Sequence, residues 1–154
     1  MVRWLQQPHV VRWWGPHTAA EFLSLESGSV YRIIVWNDRP VGFLQWNRLT
    51  RDELDAVGLS QLSEGGVDFD LFLGEPEDLG KGIGSEAIRQ AIVEVCLHES
   101  PPYFSLCTAD SNVRAKRAFE KVGFTVKTLF DEGRGPHLFM VNPITHTHHQ
   151  GSDR

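Results

Sequence analysis

Two apolar runs near the start of the chain are separated by a short polar stretch. Residues 30–36 and 41–47 are rich in β-branched and aromatic side chains, which are favoured in strands. Residues 37–40, Asn-Asp-Arg-Pro, have the composition of a turn, so the three segments together predict a β-hairpin. Residues 49–66 carry charges and glycines without a sustained period, which predicts a loop with one short helix.

The second half of the chain alternates between strand and helix patterns. Residues 67–73 begin with alternating acidic and apolar positions and end wholly apolar, which predicts a strand that is polar at one end and buried at the other. Asp110 or Ser111 is the predicted N-cap of a later helix, which ends at Gly123. The N-cap is also the alternative role of Asn112, beside binding of a cofactor. The remaining predicted elements are a helix over 84–97, a strand over 103–108, a helix over 112–122, and strands over 124–130 and 137–141.

The order of these elements predicts an α/β fold. Two successive β-α units favour parallel pairing at the centre of the sheet, and the hairpins favour antiparallel strands at its flanks. We expect a mixed, twisted sheet with helices on both faces, formed by a single domain over residues 1–142. Residues 143–154 are polar and aperiodic and are predicted to form a disordered tail.

Composition and charge narrow the classes of partner. The 154 residues are 41% hydrophobic and 23% charged, the balance of an ordinary folded domain. Asp and Glu total 20 against 15 Lys and Arg, for a formal net charge of −5. This charge argues against nucleic acid and favours a cationic or small partner. No apolar run has the length of a membrane helix or the form of a signal peptide.

The two cysteines, Cys96 and Cys107, are too few for a disulfide framework. Both lie among apolar residues in the sequence, so we expect two reduced core residues of a cytoplasmic protein. The chain has no Cys-x-x-Cys pair, and its dense histidines lie in the predicted tail. No metal is therefore expected.

A glycine-rich turn follows the strand over 67–73. Gly80, Gly82 and Gly84 alternate immediately before the predicted helix, and glycine lets the backbone approach a ligand closely. Unpaired N–H groups at the helix start favour an anion there, and Lys81 adds a positive charge, so we predict a pyrophosphate-binding loop. Gly82 follows Lys81 where a P-loop has Ser or Thr, and the glycine spacing differs from the dinucleotide fingerprint. The alternative is a turn that only joins strand to helix.

A second motif lies on the helix predicted over 112–122. It opens with Asn112-Val-Arg-Ala115 and ends with Phe119-Glu-Lys-Val-Gly-Phe124. With the glycine-rich turn before it, this motif resembles the two cofactor motifs of the GNAT acetyltransferase superfamily. A narrower resemblance, to the aminoglycoside 6′-N-acetyltransferases, covers nearly the whole chain. Siderophore-tailoring acetyltransferases share much of the pattern. The narrower resemblance is carried by Trp4-Leu5, Pro8-His-Val-Val11, Trp13-Trp14-Gly15, Val41-Gly42 and Asp70-Leu-Phe-Leu-Gly-Glu-Pro76.

The resemblance implies an N-acetyltransferase that uses acetyl-CoA as co-substrate and acetylates the 6′-amino group of an aminoglycoside. The family often has a tyrosine at the position of Phe119, proposed to protonate the leaving thiolate, and that hydroxyl is missing here. The family also usually has a strand and half a helix before the Trp4 segment, so we expect an N-terminally short version of the fold. The implied cofactor-binding residues are Leu71, Phe72, Leu73, Leu79, Gly80, Lys81, Gly82, Ile83, Gly84, Ser85, Asn112, Ala115 and Phe119.

On the acceptor side, the resemblance makes Asp70 the candidate catalytic base. Asp68 lies on the same face of the strand, two residues earlier. Two acids on one face can hold a cationic substrate and raise one another's pKa; the alternative is a solvated strand end. The further candidate substrate-binding residues are Asp110, Trp13, Trp14 and Glu75. The tryptophans are otherwise core packing, and Glu75 is otherwise a loop charge.

Two other functions stay open at the level of the sequence. The first is a GNAT acetyltransferase for a siderophore hydroxylamine, a polyamine or a protein N-terminus. The second is a non-catalytic CoA-binding protein, which the absent hydroxyl at Phe119 and the short N-terminus favour. Acidic residues around the predicted pocket favour a cationic small molecule. The oligomeric state is expected to be a monomer or a homodimer.

Overall fold

Six strands form one sheet in the part of the chain that the computed structural model describes, residues 2–14 and 28–143. The remaining residues, which include Gly15 and nearly all of the predicted tail, lie outside the described ranges. A short 3₁₀ helix, Pro76–Asp78, precedes the longest α-helix. The elements are α1 (Val2–Leu5), α2 (Pro8–Trp14), β1 (Val30–Trp36), β2 (Arg39–Arg48), α3 (Arg51–Ala56), β3 (Val67–Leu73), α4 (Ile83–His98), β4 (Tyr103–Ala109), α5 (Val113–Lys121), β5 (Thr125–Asp131) and β6 (Pro136–Pro143).

The strands are arranged in the order β1-β2-β3-β4-β6-β5. β3 and β4 are parallel, and the other neighbouring pairs are antiparallel, which confirms the predicted mixed sheet. Pairing between β3 and β4 runs from Val67 opposite Phe104 to Phe69 opposite Leu106 and then stops. Beyond Phe69 the two strands diverge, and the gap between them positions the candidate site.

The first hairpin turns more tightly than predicted. Asn37 and Asp38 both have positive φ, 50° and 60°, the conformation of a two-residue type I′ turn. β2 therefore begins at Arg39 and includes Pro40. Pro40 pairs with Val35 at a register shift, where a strand tolerates a residue without an N–H group.

Alternation along β3 divides the sheet into two faces. On one face, Val67, Phe69 and Leu73 belong to the largest core cluster, to which α4 and α5 contribute apolar side chains. On the other face, Phe72 packs with Trp4 and other apolar residues of α1 and α2. Side chains of α3, β4 and β6 form a third cluster. Helices therefore cover both faces, as predicted.

The expected short helix within residues 49–66 is α3. Its N-cap, Thr50, accepts a hydrogen bond from the Glu53 N–H, and the Glu53 carboxylate accepts one from the Thr50 N–H. This reciprocal capping box satisfies donors that the helix start leaves unpaired. Leu54 and Leu59 are fully buried and pack against Tyr103, so the segment covers one face of the sheet.

The N-cap of α5 predicted at Asp110 or Ser111 is wrong by one or two residues. The cap is Asn112, as the alternative role of that residue predicts, and its Oδ1 accepts a hydrogen bond from the Ala115 N–H at 3.3 Å. Asp110 instead lies in the turn after β4, where its N–H donates to the Pro136 carbonyl at 3.0 Å. The helix therefore begins after Asn112 rather than after Asp110 or Ser111.

The cysteines are not two core residues. Cys96 is exposed, and Cys107 is half-buried on β4. Cys96 follows Val95, which is buried on the inner side of α4 together with Ile88 and Ala91, and the next position turns outward. The buried residues Ile88, Ala91 and Val95 thus recur at the spacing of one helix face.

Candidate active site

A cleft of about 1210 Å³ opens where β3 and β4 diverge. Its walls are α2 and α5, and the glycine-rich turn and the first turn of α4 line it as well. Candidate residues for the cofactor and for the acceptor thus share one cavity. The predicted residues that line it are Trp13, Trp14, Asp70, Leu71, Phe72, Leu73, Leu79, Gly80, Gly82, Ile83, Gly84, Ser85, Asn112, Ala115 and Phe119.

Asp70 lines the cleft, half-buried, and is paired with Gln45 in the antiparallel register of β2 and β3. The Gln45 Nε2 group donates to Asp70 Oδ2 at 3.4 Å. Burial raises the pKa of Asp70 above its ordinary value, and the Gln45 hydrogen bond partly offsets that rise. A carboxylate with a raised pKa in a cleft is suited to accept a proton near neutral pH.

Asp68 is half-buried and is not among the residues that line the cleft. The Ser105 hydroxyl donates to Asp68 Oδ1 at 2.7 Å. Burial, and then the negative charge of Asp70, raises the pKa of Asp68 to about 8. Burial and the same two acids also raise the pKa of Cys107, which lines the cleft as a thiol. The contact of Asp68 with substrate stays a prediction, and one oxygen of its carboxyl group is already bound to Ser105 of β4.

The glycine-rich turn has backbone geometry that favours glycine. Gly80 and Gly82 have φ of 76° and 78°, a left-handed conformation that other residues resist. A Cβ on either would extend into open space, whereas a Cβ on Gly84 would lie 3.4 Å from Leu71 Cδ1. Gly82 is the N-cap of α4, so the unpaired N–H groups of the first helical turn border the cleft.

Two residues of this turn differ from their predicted roles. Lys81 is exposed and is not among the residues that line the cleft. Ser85 is buried, and its hydroxyl donates to the Ala118 carbonyl at 3.2 Å. The Ser85 side chain therefore links α4 to α5 by a hydrogen bond. Only the backbone of Ser85 is left to bind a ligand.

The opposite wall of the cleft is α5. Asn112, Ala115 and Phe119 all line the cavity, as the second motif predicts. The Phe119 ring is 9% exposed and meets Phe124 edge-on, with 6.4 Å between ring centroids. Because phenylalanine has no hydroxyl, this wall offers no aromatic proton donor at Phe119.

The two tryptophans of α2 border the cleft, as predicted. The Trp14 indole Nε1 donates to the Leu71 carbonyl at 3.1 Å, and its ring meets Phe72 edge-on with 5.1 Å between centroids. The Arg12 guanidinium lies 4.5 Å from the centre of the Trp13 ring. Trp14 is therefore fixed against β3, whereas Trp13 forms a cation–π contact with Arg12.

Glu75 and Asp110 are not brought to the cleft. Glu75 forms an ion pair with Arg3, as its alternative role as a loop charge predicts. Asp110 is exposed in the turn after β4. Asp78, three residues after Glu75, is fully buried and accepts hydrogen bonds from Arg39 at 2.9 and 3.2 Å. These bonds anchor the start of the glycine-rich turn to β2.

Comparison with known proteins identifies the family. Residues 1–132 match the family model described as an acetyltransferase (GNAT) domain. The aminoglycoside N(6′)-acetyltransferases type 1 of Klebsiella pneumoniae and Serratia marcescens are each 30% identical over 155 residues, covering 92% of this chain and 75% of theirs. The chain belongs to the GNAT acetyltransferase family. It is therefore an N-acetyltransferase that depends on acetyl-CoA.

Solved structures have the same fold as this GNAT acetyltransferase. One is the aminoglycoside acetyltransferase AAC(6′)-Ib in complex with coenzyme A and kanamycin, with a TM-score of 0.75 and 23% identity over 92% of this chain and 86% of that one. Another structure of AAC(6′)-Ib, in complex with ribostamycin and coenzyme A, has a TM-score of 0.78 and 22% identity over 99% of this chain and 91% of that one. These likenesses confirm the predicted α/β fold.

Sequence reasoning missed several residues that border the cleft of this GNAT acetyltransferase. His9 lies on α2, and its Nε2 is 2.8 Å from the Leu73 carbonyl oxygen. The basic residues among them are His9, Arg12, Arg114, Arg134 and His137. A signal was present for the first three, because His9 and Arg12 precede the tryptophan pair and Arg114 lies inside the second motif. Arg134 lies in the β5–β6 connection and His137 is the second residue of β6, and neither position belongs to a motif.

Within residues 2–14 and 28–143, no group of three or more His, Cys, Asp or Glu side chains is arranged to hold a metal ion. Among the helices of these same ranges, none is long and apolar enough to cross a membrane.

Proposed function

We propose that this GNAT acetyltransferase transfers the acetyl group of acetyl-CoA to the 6′-amino group of an aminoglycoside. The observation that carries the proposal is the meeting of the half-buried carboxyl group of Asp70 with the glycine-rich turn in one cleft. The names of the curated relatives that align with most of the chain support the choice of acceptor. The proposal places the enzyme in the cytoplasm, as a monomer or homodimer with a small cationic substrate.

The residues of the cleft fit acetyl-CoA as the second substrate. We propose that the pyrophosphate binds at Gly80, Gly82 and the first turn of α4, because a side chain on either glycine would occupy the open space there and unpaired N–H groups favour an anion. The pantetheine arm is proposed to lie in the gap along Leu71 and Leu73. Asn112 and the rest of the α5 wall would then enclose it from the other side.

Asp70 is the proposed general base. An aliphatic ammonium group has a pKa of about 10.4, so it must lose a proton before its nitrogen can attack a carbonyl carbon. The raised pKa of Asp70 makes this carboxylate a better proton acceptor than an exposed aspartate. Its negative charge also favours a cationic acceptor in the cleft.

Acetyl-CoA supplies an activated thioester, in which the bond from carbon to sulfur breaks as the bond from carbon to nitrogen forms. The N–H groups of Leu71 and Leu73 are the proposed donors to the carbonyl oxygen, where negative charge develops. Phe119 cannot protonate the departing sulfur. A thiol has a pKa of about 8.5, so we propose that the thiolate leaves without a protein acid.

The acceptor is proposed to bind between β3 and the aromatic side chains of α2. Trp13 and Trp14 line this part of the cleft, and aromatic rings offer apolar surface to the faces of sugar rings. We propose that Arg114, in the first turn of α5, compensates phosphate charge rather than contacting the acceptor.

A thiol-release assay tests the proposal. The protein is mixed with acetyl-CoA and with aminoglycosides that carry either an amine or a hydroxyl group at the 6′ position. Polyamines and hydroxylamine siderophore precursors complete the panel. We expect turnover with the 6′-amines and none with the matched 6′-hydroxyl compounds. Turnover restricted to polyamines or hydroxylamines would reject the aminoglycoside, and no turnover with any amine would support the non-catalytic CoA-binding protein.

A further inference from the structure

Among the residues that the structure describes, no strand pairs with the second half of β3 on the side of the gap. Its pairing with β4 ends at Phe69, whereas its pairing with β2 continues to Leu73. In a strand, the N–H and C=O groups of one residue point to the same side. Leu71 and Leu73 are two and four residues beyond Phe69, so their backbone groups point toward the gap. A buried carbonyl without a hydrogen bond is costly.

Two side chains of α2 occupy these carbonyls. The Trp14 indole Nε1 donates to the Leu71 oxygen at 3.1 Å, and His9 Nε2 lies 2.8 Å from the Leu73 oxygen. A carbonyl oxygen only accepts hydrogen bonds, so His9 Nε2 carries the proton. Trp14 and Leu71 are 57 positions apart in the chain, and His9 and Leu73 are 64 positions apart. Both contacts therefore depend on the tertiary fold.

The spacing of the two donors matches the spacing of the two carbonyls. His9 and Trp14 are five residues apart on α2, which is about 7.5 Å along a helix axis. Leu71 and Leu73 are two residues apart on β3, which is about 6.7 Å along a strand. His9 meets the carbonyl of Leu73, and Trp14 meets that of Leu71. The helix α2 therefore runs antiparallel to β3 along its open edge.

The apolar side of α2 holds the helix in this position. Val10, between the two donors, is 2% exposed. It packs in one cluster with Trp4, Phe43 and Phe72. The two hydrogen bonds therefore extend from an anchored helix, and they hold β3 at the point where β4 has left it.

We infer that His9 and Trp14 are positioning residues for acetyl-CoA, which hold the edge of β3 open for the pantetheine arm. With the two carbonyls occupied from the α2 side, the strand presents the N–H groups of Leu71 and Leu73 to the gap. Such an edge suits a ligand rich in carbonyl oxygens, and the acetyl and amide groups of acetyl-CoA provide these. This inference rests on the cofactor placement proposed above.

Binding of two ligands to matched variants tests the inference. His9→Leu and Trp14→Phe each remove one donor and keep an apolar side chain. Calorimetric titration then measures the affinity for CoA and for adenosine 3′,5′-bisphosphate, which lacks the pantetheine arm. We expect CoA to bind about three- to tenfold more weakly to each variant, as for one lost hydrogen bond, with the affinity for the nucleotide unchanged.

Two control variants separate the hydrogen bond from general damage to α2. His9→Gln keeps an N–H donor of similar reach and should bind CoA within about twofold of the wild type. Val11→Ala changes an exposed side chain of the same helix and should bind like the wild type. In steady-state assays, the KM for acetyl-CoA should rise in the donor-deleted variants, with kcat for a saturating amine changed less.

Three outcomes would overturn the inference. The first is wild-type CoA affinity in both donor-deleted variants. The second is tighter CoA binding, which would show that α2 competes with the pantetheine arm. The third is an equal loss of affinity for CoA and the nucleotide, which would indicate a purely structural role. If His9→Leu does not fold, the CoA affinities of Trp14→Phe and His9→Gln test the inference in its place. Failure of the wild type to bind CoA at all would instead reject the proposed function.

Discussion

Gly74 lies directly against the indole ring of Trp4. A Cβ at Gly74 would overlap that ring, and Trp4 is 8% exposed in the cluster that joins α1 and α2 to β3. The adjoining residues, Arg3 and Glu75, form an ion pair. Two distant parts of the family resemblance, Trp4-Leu5 and the glycine that ends Asp70-Leu-Phe-Leu-Gly74, are thus explained by one contact.

Replacing Gly74 by alanine should destabilise the protein. The added methyl group forces the Trp4 ring or the end of β3 to move, and such overpacking costs about 1–3 kcal/mol. Urea denaturation of Gly74→Ala would measure the loss in the free energy of unfolding. The double variant Trp4→Leu/Gly74→Ala should lose less than the two single variants added together. An alanine variant as stable as the wild type would contradict the contact.

Asp70→Asn should lower kcat/KM for the amine while CoA binding persists. A positioned general base contributes about 10²–10⁴-fold, and an asparagine side chain cannot take up the proton. Steady-state kinetics and calorimetric titration with CoA would measure the two effects. The control is Asp52→Asn, which changes an exposed carboxylate in the first turn of α3. A loss below about tenfold would leave Asp70 without a role in proton transfer.

The stability of the protein should fall with rising pH because of Asp68. Burial raises its pKa from 3.8 to about 8 in the folded state, so between these values the folded state keeps a proton that the unfolded state has released. The free energy of unfolding therefore decreases from about pH 4 to about pH 8. This contribution is absent below about pH 4 and reaches its full size above about pH 8.

Asp68→Asn removes that ionisation and keeps an oxygen that accepts the Ser105 hydroxyl hydrogen bond. Urea denaturation from pH 5 to pH 8 should therefore show a flatter pH dependence in the variant, with its stability relative to the wild type increasing as pH rises. Asp70 stays in both proteins, but its titration is coupled to that of Asp68, so the difference between the two curves reports the acid pair rather than Asp68 alone. Parallel curves for the two proteins would contradict a raised pKa at Asp68.

Gly84→Val should weaken the binding of CoA. A Cβ at this position already meets Leu71 Cδ1 at 3.4 Å, so the valine methyl groups extend into the cleft beside the first turn of α4. We expect a loss of about tenfold or more in affinity, measured by calorimetric titration. A variant with a wild-type melting temperature and unchanged CoA affinity would contradict the proposal that the pyrophosphate binds at this turn.

Periodicity and turn residues are local, and they predicted the order of elements from β1 onward, the parallel centre of the sheet and the glycine-rich turn, but not α1 and α2. The roles of individual side chains depended on contacts across the chain. Asp68 and Asp70 share a face of β3, but Asp68 is bound by Ser105 of β4 and Asp70 by Gln45 of β2. Glu75 meets Arg3 across 72 positions, and His9 reaches Leu73 only because α2 docks on β3. No pattern within one segment contains these relationships.

The change Phe119→Tyr tests how the thiolate leaves. Phe119 lines the cleft and is 9% exposed, so the added hydroxyl would be a single oxygen at the wall that encloses the pantetheine arm. A thiol with a pKa of about 8.5 departs readily as its anion near neutral pH, and a general acid then helps little. We expect an active wild type and a rate change below about tenfold in the variant, measured by steady-state kinetics from pH 6 to pH 9. An inactive wild type that Phe119→Tyr restores would contradict unassisted departure and would support a degenerate, non-catalytic protein, because the missing hydroxyl would then be the only barrier to turnover.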